Sequence, residues 1–257
     1  RKSVQRMEIR SGFAVSLFYL PRNCTCTEVF AEDPEQIVGG SDAYLGQFRY
    51  QVSLRLRGSH FCGGTLITTR HVVTAAHCIQ GVVSAPFNDF VVVSGTISLS
   101  SGGYSHRVAN AITHPDFRPN AADVNVNRFQ SPIPLTNGDP PVGAVLTLSG
   151  WGRTATNGPL PNILQTTTVN LLSNEECRRK IPGTPIHDGQ LCTIRQKGIG
   201  ACQGDSGGPL VYKNKLVGIV SWVFPCAQGL PDEYISKESY ILTFSLNKCT
   251  VSKSVYQ

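Results

Sequence analysis

Gly200-Ala201-Cys202-Gln203-Gly204-Asp205-Ser206-Gly207-Gly208-Pro209-Leu210 is the stretch on which the reading of this chain turns. Ser206 is set among glycines, so the backbone can bend sharply and present the hydroxyl with no side chain in the way. A serine hydroxyl is a weak nucleophile and needs a base within reach and donors for the oxyanion it creates. The backbone N–H groups of Gly204 and Ser206 can supply those donors, and glycine lets a carbonyl come close. A glycine-rich loop can also cradle phosphate, but no Gly-Lys-Ser/Thr ending follows, so that reading fails.

The stretch resembles the active-site signature of the chymotrypsin-fold, trypsin-like serine proteases. Further motifs stand in that family's order. Thr74-Ala75-Ala76-His77-Cys78 matches its base motif, and Cys62-Gly63-Gly64-Thr65-Leu66 matches the strand before it. The resemblance implies that His77 takes the proton from Ser206 and returns it to the leaving amine. A third group must orient the imidazole. Asp123, in Ala122-Asp123-Val124-Asn125-Val126-Asn127-Arg128-Phe129, fits the family frame, although Asn125 and Asn127 do not. Asp116, in His114-Pro115-Asp116, is the competing acid, in a context that reads as a loop. The chemistry needs no cofactor and no metal.

A chain of 257 residues can bury a substantial core. Short apolar segments broken by turn residues, such as Gln51–Leu56, Phe90–Val93 and Val108–Ile112, read as all-β, sandwich or barrel. The resemblance selects two six-stranded antiparallel β-barrels with the active site in the cleft between them, closed by a short C-terminal helix near Ser239–Phe244. Residues 1–36 read as a leader or propeptide-like segment, 37–247 as the protease domain with its barrel junction near 131–140, and 248–257 as a tail. Between Ile133 and Ser149 the chain is shorter than in relatives by about ten residues, which implies either strain between the barrels with a cost in rate or a shorter linker that is still adequate.

The net charge of +6 is scattered, with no dense basic block, which argues against nucleic acid. The apolar run Gly12–Leu20 is too short to span a membrane and could serve as a weak secretory segment counted from Met7. Nine cysteines suggest an oxidising, extracellular compartment. A metal is the rival use, but Cys24 and Cys26 lack a partner pair at finger-like spacing. By resemblance Cys62 pairs with Cys78, Cys177 with Cys192, and Cys202 with Cys226. Cys24, Cys26 and Cys249 are left over.

Ile37-Val38-Gly39-Gly40 resembles the new N-terminus made when this family's zymogens are cut. A freed Ile37 ammonium can be buried only against an acid, and Asp205 matches the residue that receives it. The residue before it is Gln36, which a trypsin-like activator would not cut after. In the pocket, the resemblance makes Gly200 the floor, with Ala201 and Gln203 beside it. Ser221-Trp222-Val223 is then the segment that pairs with substrate backbone. Gly200 stands where a trypsin has aspartate, so strict Lys/Arg specificity is not expected. Asp232 lies on another wall of the same pocket, an arrangement that resembles some arthropod digestive, including collagenolytic, proteases. Val223 replaces a frequent glycine and narrows the entrance.

The expectation is a secreted, monomeric serine endopeptidase that acts on proteins and peptides. Its preference is chymotrypsin- or elastase-like, with secondary Lys/Arg cleavage, and protein protease inhibitors are candidate partners. The alternative is a catalytically impaired homologue that binds or regulates.

Overall fold

The computed structural model describes residues 37–109, 111, 130–184, 186, 189–222 and 226–236. After a two-residue strand β1 (Ser41–Asp42), the chain lays down β2 (Gln51–Leu56), β3 (Ser59–Leu66), β4 (Val72–Val73), β5 (Phe90–Ser94) and β6 (Tyr104–Arg107). Strands β2 to β6 form an antiparallel sheet in the order β4-β3-β2-β5-β6. The second half supplies β7 (Val145–Gly150), β8 (Gln165–Leu172), a helix α1 (Asn174–Lys180), β9 (Gln190–Ile194), β10 (Pro209–Tyr212), β11 (Lys215–Trp222) and β12 (Asp232–Ser236). Their order is β8-β7-β10-β11-β12-β9, and β9 pairs back onto β8, so six strands close into a barrel with β1 added at β8.

The expected all-β, two-barrel architecture is what these residues form. The first sheet has five strands among the described residues, and the segment Val108–Ile112 differs from expectation: Val108, Ala109 and Ala111 are not in a strand, and Asn110 and Ile112 lie outside the described residues. The anticipated closing helix near Ser239–Phe244 also lies outside them.

β2 shows why the sequence folds this way. Val52 and Leu54 alternate with Gln51 and Ser53, and all four are buried. The apolar pair faces a core with Leu66, Val72, Phe90 and Val92. The polar pair faces the second sheet, where Gln51 Oε1 accepts from Ser149 Oγ at 2.8 Å. Period-2 alternation therefore makes one strand serve both the first core and the junction. The β2–β3 turn is Arg57-Gly58, with φ of 51° and 82°, and the β10–β11 turn is Lys213-Asn214, with φ of 47° and 60°. Two consecutive left-handed residues are what a tight type I′ hairpin needs to match the strands' twist.

The second core gathers Leu146, Leu148, Leu210 and Val220 with Ile37, which is fully buried. Residues 130–136 connect the sheets and bond to both. Ile133 N–H donates to Leu66 O at 3.0 Å, and Thr136 N–H to Leu216 O at 3.0 Å. The shortened connection is thus anchored at both ends.

α1 was not anticipated from sequence. Ser173 caps it, its side chain accepting from Glu176 N–H, with Glu175 and Glu176 in the first turn and Arg178, Arg179 and Lys180 in the last. The Ser-Asn-Glu-Glu run is a capping-box signal that complements the helix dipole. Cys177–Cys192 ties this helix to β9, Cys62–Cys78 ties β3 to the 3₁₀ turn Ala76–Cys78, and Cys202–Cys226 is the third disulfide. All three are the pairings that the resemblance implies.

Candidate active site

Ser206 sits on the loop between β9 and β10, at the junction of the sheets. Its carbonyl accepts from Gly63 N–H of β3 at 2.8 Å, and Gly207 N–H donates to Val220 O of β11 at 2.7 Å. A Cβ on Gly207, whose φ is 81°, would lie 2.0 Å from Thr74 Oγ1 and 2.8 Å from Ala75 N. Only glycine permits that approach, and it brings the Ser206 backbone against the segment that leads into His77.

His77 lies in the 3₁₀ turn, exposed, with its ring beside the Cys62–Cys78 disulfide. The two sulfurs are bonded to each other, so this His/Cys group offers no thiolate to a metal. Partial desolvation lowers the His77 pKa below its ordinary value. Among the described residues no hydrogen bond joins the His77 ring to the Ser206 hydroxyl. Asp123, its rival Asp116, and Val223 lie outside the described residues, and of Trp222 only the backbone is described.

His60 is a site residue that the sequence reading missed. Its Nε2 lies 3.1 Å from Gly204 O and its Nδ1 2.9 Å from Ser53 Oγ. A carbonyl can only accept, so Nε2 carries the proton and Nδ1 accepts from the serine hydroxyl. Arg55 Nε in turn donates to Ser53 Oγ at 3.2 Å. Burial, with the Arg55 charge adding to it and the Gly204 bond opposing it, pushes His60 down to about 4. The ring is neutral at pH 7, and its edge meets Trp151 at 5.8 Å between centroids. This chain of bonds fixes the Gly204–Asp205 peptide, the unit that directly follows the candidate oxyanion donor Gly204 N–H. The available signal was position: His60 stands immediately before the Phe61-Cys62 run that leads into the base motif.

Asp205 is fully buried. Oδ1 accepts from Gly152 N–H at 2.7 Å and Oδ2 from Cys202 N–H at 2.9 Å. Burial raises its carboxyl to about 6 against those two bonds. A Cβ on Gly152 would lie 2.2 Å from Asp205 Oδ2, so the loop accommodates the acid only because residue 152 has no side chain. In the uncut chain the Ile37 nitrogen is an amide. The segment it begins is already docked: Gly200 N–H donates to Val38 O at 3.0 Å, and a Cβ on Gly39 would overlap Ile199 Cγ1 at 2.3 Å. Ile37 holds φ 43°, a left-handed value that strains a β-branched residue.

Gly200, Ala201, Ala227 and Asp232 meet at one place. Asp232 is buried at the start of β12, and its Oδ2 accepts from Ala201 N–H at 3.1 Å. A Cβ on Gly200 would come within 2.9 Å of that oxygen and 3.8 Å of Ala227. Residue 200 is therefore glycine where the carboxylate fills the space a side chain would use. Burial raises Asp232 to about 7, opposed by the Ala201 bond and reinforced by the charge of Asp205. Gln203 is exposed, its carbonyl accepting from Arg153 N–H at 2.8 Å. Pairing of β11 with β10 stops at Ile219, Gly207 and Gly208 continue it to Val220, and Ser221 and Trp222 run past the end of β10.

Comparison with known proteins agrees with this geometry. The trypsin family model matches residues 37–242. A serine protease of Anopheles gambiae is 37% identical over 218 residues, covering 80% of this chain and 79% of that one. Chymotrypsin-2 of Vespa crabro is 36% identical over 222 residues, covering 80% and 96%. Among solved structures, neuropsin, a serine protease of mouse brain, superposes with a TM-score of 0.71 at 31% identity, covering 79% of this chain and 96% of that one. The match runs from the docked Ile37 segment through the Ser206 loop to β12 and beyond, and the chain belongs to the trypsin family of serine proteases.

Proposed function

We propose that this protease is a secreted endopeptidase, residues 37–247 forming the protease domain, with Ser206 as nucleophile, His77 as general base and acid, and Asp123 orienting the imidazole. The observation that carries the reading is the contact of Gly207 with Thr74 and Ala75, which brings the nucleophile loop against the histidine turn. Gly204 and Ser206 N–H groups receive the oxyanion, and His60 holds the Gly204–Asp205 peptide that lies between those two donors, through the Gly204 carbonyl. Ser221 and Trp222, beyond the end of β10, offer strand edge to an extended peptide. Cutting after Gln36 frees the Ile37 ammonium, which then replaces the backbone donors as the partner of Asp205.

Gly200 and Asp232 make the pocket mixed. Its walls are apolar, and its only described acid is on the side rather than at residue 200. The reading is therefore cleavage after apolar side chains, with cleavage after basic ones when Asp232 is ionised. The test is fluorophosphonate labelling of the activated chain and of Ser206→Ala, beside a peptide panel varied at the residue before the cut. Labelling lost in Ser206→Ala with turnover of Leu, Phe and Lys peptides is expected. Labelling of the parent with no Lys turnover would overturn the pocket, and no labelling of well-folded parent would overturn the triad in favour of an impaired homologue.

A further inference from the structure

Across the β9–β12 ladder Thr193 stands directly opposite Asp232, so the two side chains leave the same face of the sheet. Leu191, two residues along on that face, packs in the second core, so the face is the interior of the barrel. Thr193 is completely buried, and its Oγ1 has no hydrogen-bond partner among the described residues. A buried hydroxyl in that condition is uncommon, because it has left water and gained nothing in return. Beside it, Asp232 commits Oδ2 to the Ala201 N–H, while Oδ1 accepts nothing among the described residues. Oδ2 stands close to where a side chain of residue 200 would go, 2.9 Å from the position of a Cβ, so glycine is what lets the acid face this loop.

The geometry points to Thr193 as a specificity-determining residue of this pocket, its hydroxyl and the free oxygen of Asp232 forming a subsite for a lysyl ammonium in preference to an arginyl guanidinium. The inference rests on the pocket assignment made above. An ammonium is compact and offers three donors at a point, which two separate oxygen acceptors satisfy well. A guanidinium is a flat fork that binds best when a carboxylate presents both oxygens side by side. Asp232 Oδ2 already accepts from Ala201 N–H, which leaves the two oxygens less open to a parallel fork than Oδ1 and the threonine hydroxyl are to a point donor.

The measurement is binding of n-butylammonium and n-propylguanidinium at about pH 9 to the full chain carrying Ser206→Ala and Gln36→Lys, cut ahead of Ile37. Butylammonium should bind the tighter of the two. Adding Thr193→Val, which keeps the β-branched shape, should weaken butylammonium about tenfold, the size of a modest bond to a charged group, and propylguanidinium less than about twofold. Thr193→Ser, which keeps the hydroxyl, should restore butylammonium binding. Equal weakening of both cations, no weakening of either, or no rescue by serine overturns the proposal. Asp232→Gly separates it from the pocket assignment. If that variant loses butylammonium while Thr193→Val does not, the pocket stands and the role of Thr193 falls. If Asp232→Gly binds butylammonium like the parent, the pocket assignment fails and takes the proposal with it.

Discussion

Replacing Asp232 by asparagine should make the protein more stable and less able to cleave after lysine, and the first effect can be sized. Asp232 is buried, its one described bond is from the Ala201 amide, and a second carboxylate, Asp205, lies close enough to repel it. β9 brings no charged residue to its pairing, and Lys215 of β11 sits at the opposite end of that strand, opposite Tyr212. The carboxyl is raised from its ordinary value of 3.8 to about 7. An acid raised on folding binds its proton more tightly in the native state, so it lowers stability as pH rises from about 4 to about 7. Above that range the loss is constant at about 4 kcal/mol. Asparagine does not ionise, and its side-chain oxygen can still accept from Ala201 N–H. The Asp232→Asn gain should therefore be small near pH 4 and reach about 3–4 kcal/mol at pH 8. Urea unfolding of the disulfide-intact chain, in a Ser206→Ala background to prevent self-digestion, measures it at both pH values. A gain that does not change with pH, or a loss at pH 8, would refute the claim that this carboxylate is held without a compensating cation.

Three further outcomes follow from the same contacts. The ratio of kcat/KM for Lys over Leu peptides, measured on the cut protein, should rise with pH and level off by pH 8, with a midpoint below the value of about 7 held in the uncut chain, because only ionised Asp232 attracts the ammonium; taking a ratio cancels the titration of His77, and a flat ratio refutes the assignment. His60→Phe should lower kcat about 10- to 100-fold with KM nearly unchanged, because the Gly204–Asp205 peptide between the two oxyanion donors loses the bond that holds its carbonyl; a fall in activity through KM alone would contradict that role. Gly152→Ala should destabilise the protein by about 2 kcal/mol or more in thermal unfolding, since the added Cβ would lie 2.2 Å from Asp205 Oδ2 and displace its Gly152 bond; an unchanged Tm would show that the loop yields without cost.

What could be read in advance was what is local. Ser206 among its glycines could be read from the residues themselves and β2 from its alternation, while His77 and Asp205 were placed by resemblance to the family's short motifs. The three disulfides came from resemblance, since no spacing rule pairs Cys177 with Cys192. What escaped notice depends on distant contacts. His60 is one of six histidines, and its importance comes from Gly204, 144 residues away. Helix α1 did carry its Ser173–Glu176 signal, but it is only seven residues long and its apolar stripe is little more than Cys177. The resemblance put Asp232 in the proposed pocket; that the Ala201 amide bonds to one of its oxygens, and that Thr193 stands opposite it with no partner among the described residues, follows only from closure of the barrel.

Closure also ties the two buried acids together. Asp232 accepts from the amide of Ala201 and Asp205 from the amide of Cys202, so consecutive peptide units serve the proposed pocket and the proposed activation site. The charge on Asp205 is one of the causes that raise Asp232. On the proposed activation, the Ile37 ammonium comes to rest against Asp205 and cancels that charge. The repulsion felt by Asp232 then falls, its carboxyl moves down from about 7, and more of it is ionised at neutral pH. Cutting the chain would thus do two things at once: fix the oxyanion loop and sharpen the attraction of the pocket for a cation. Carboxyl NMR titration of Ser206→Ala, Gln36→Lys before and after cleavage would follow this directly. The Asp232 midpoint should fall on cutting. Because the two sites are linked through charge, a midpoint that stays in place or rises would mean either that Ile37 does not reach Asp205 or that solvent screens one acid from the other.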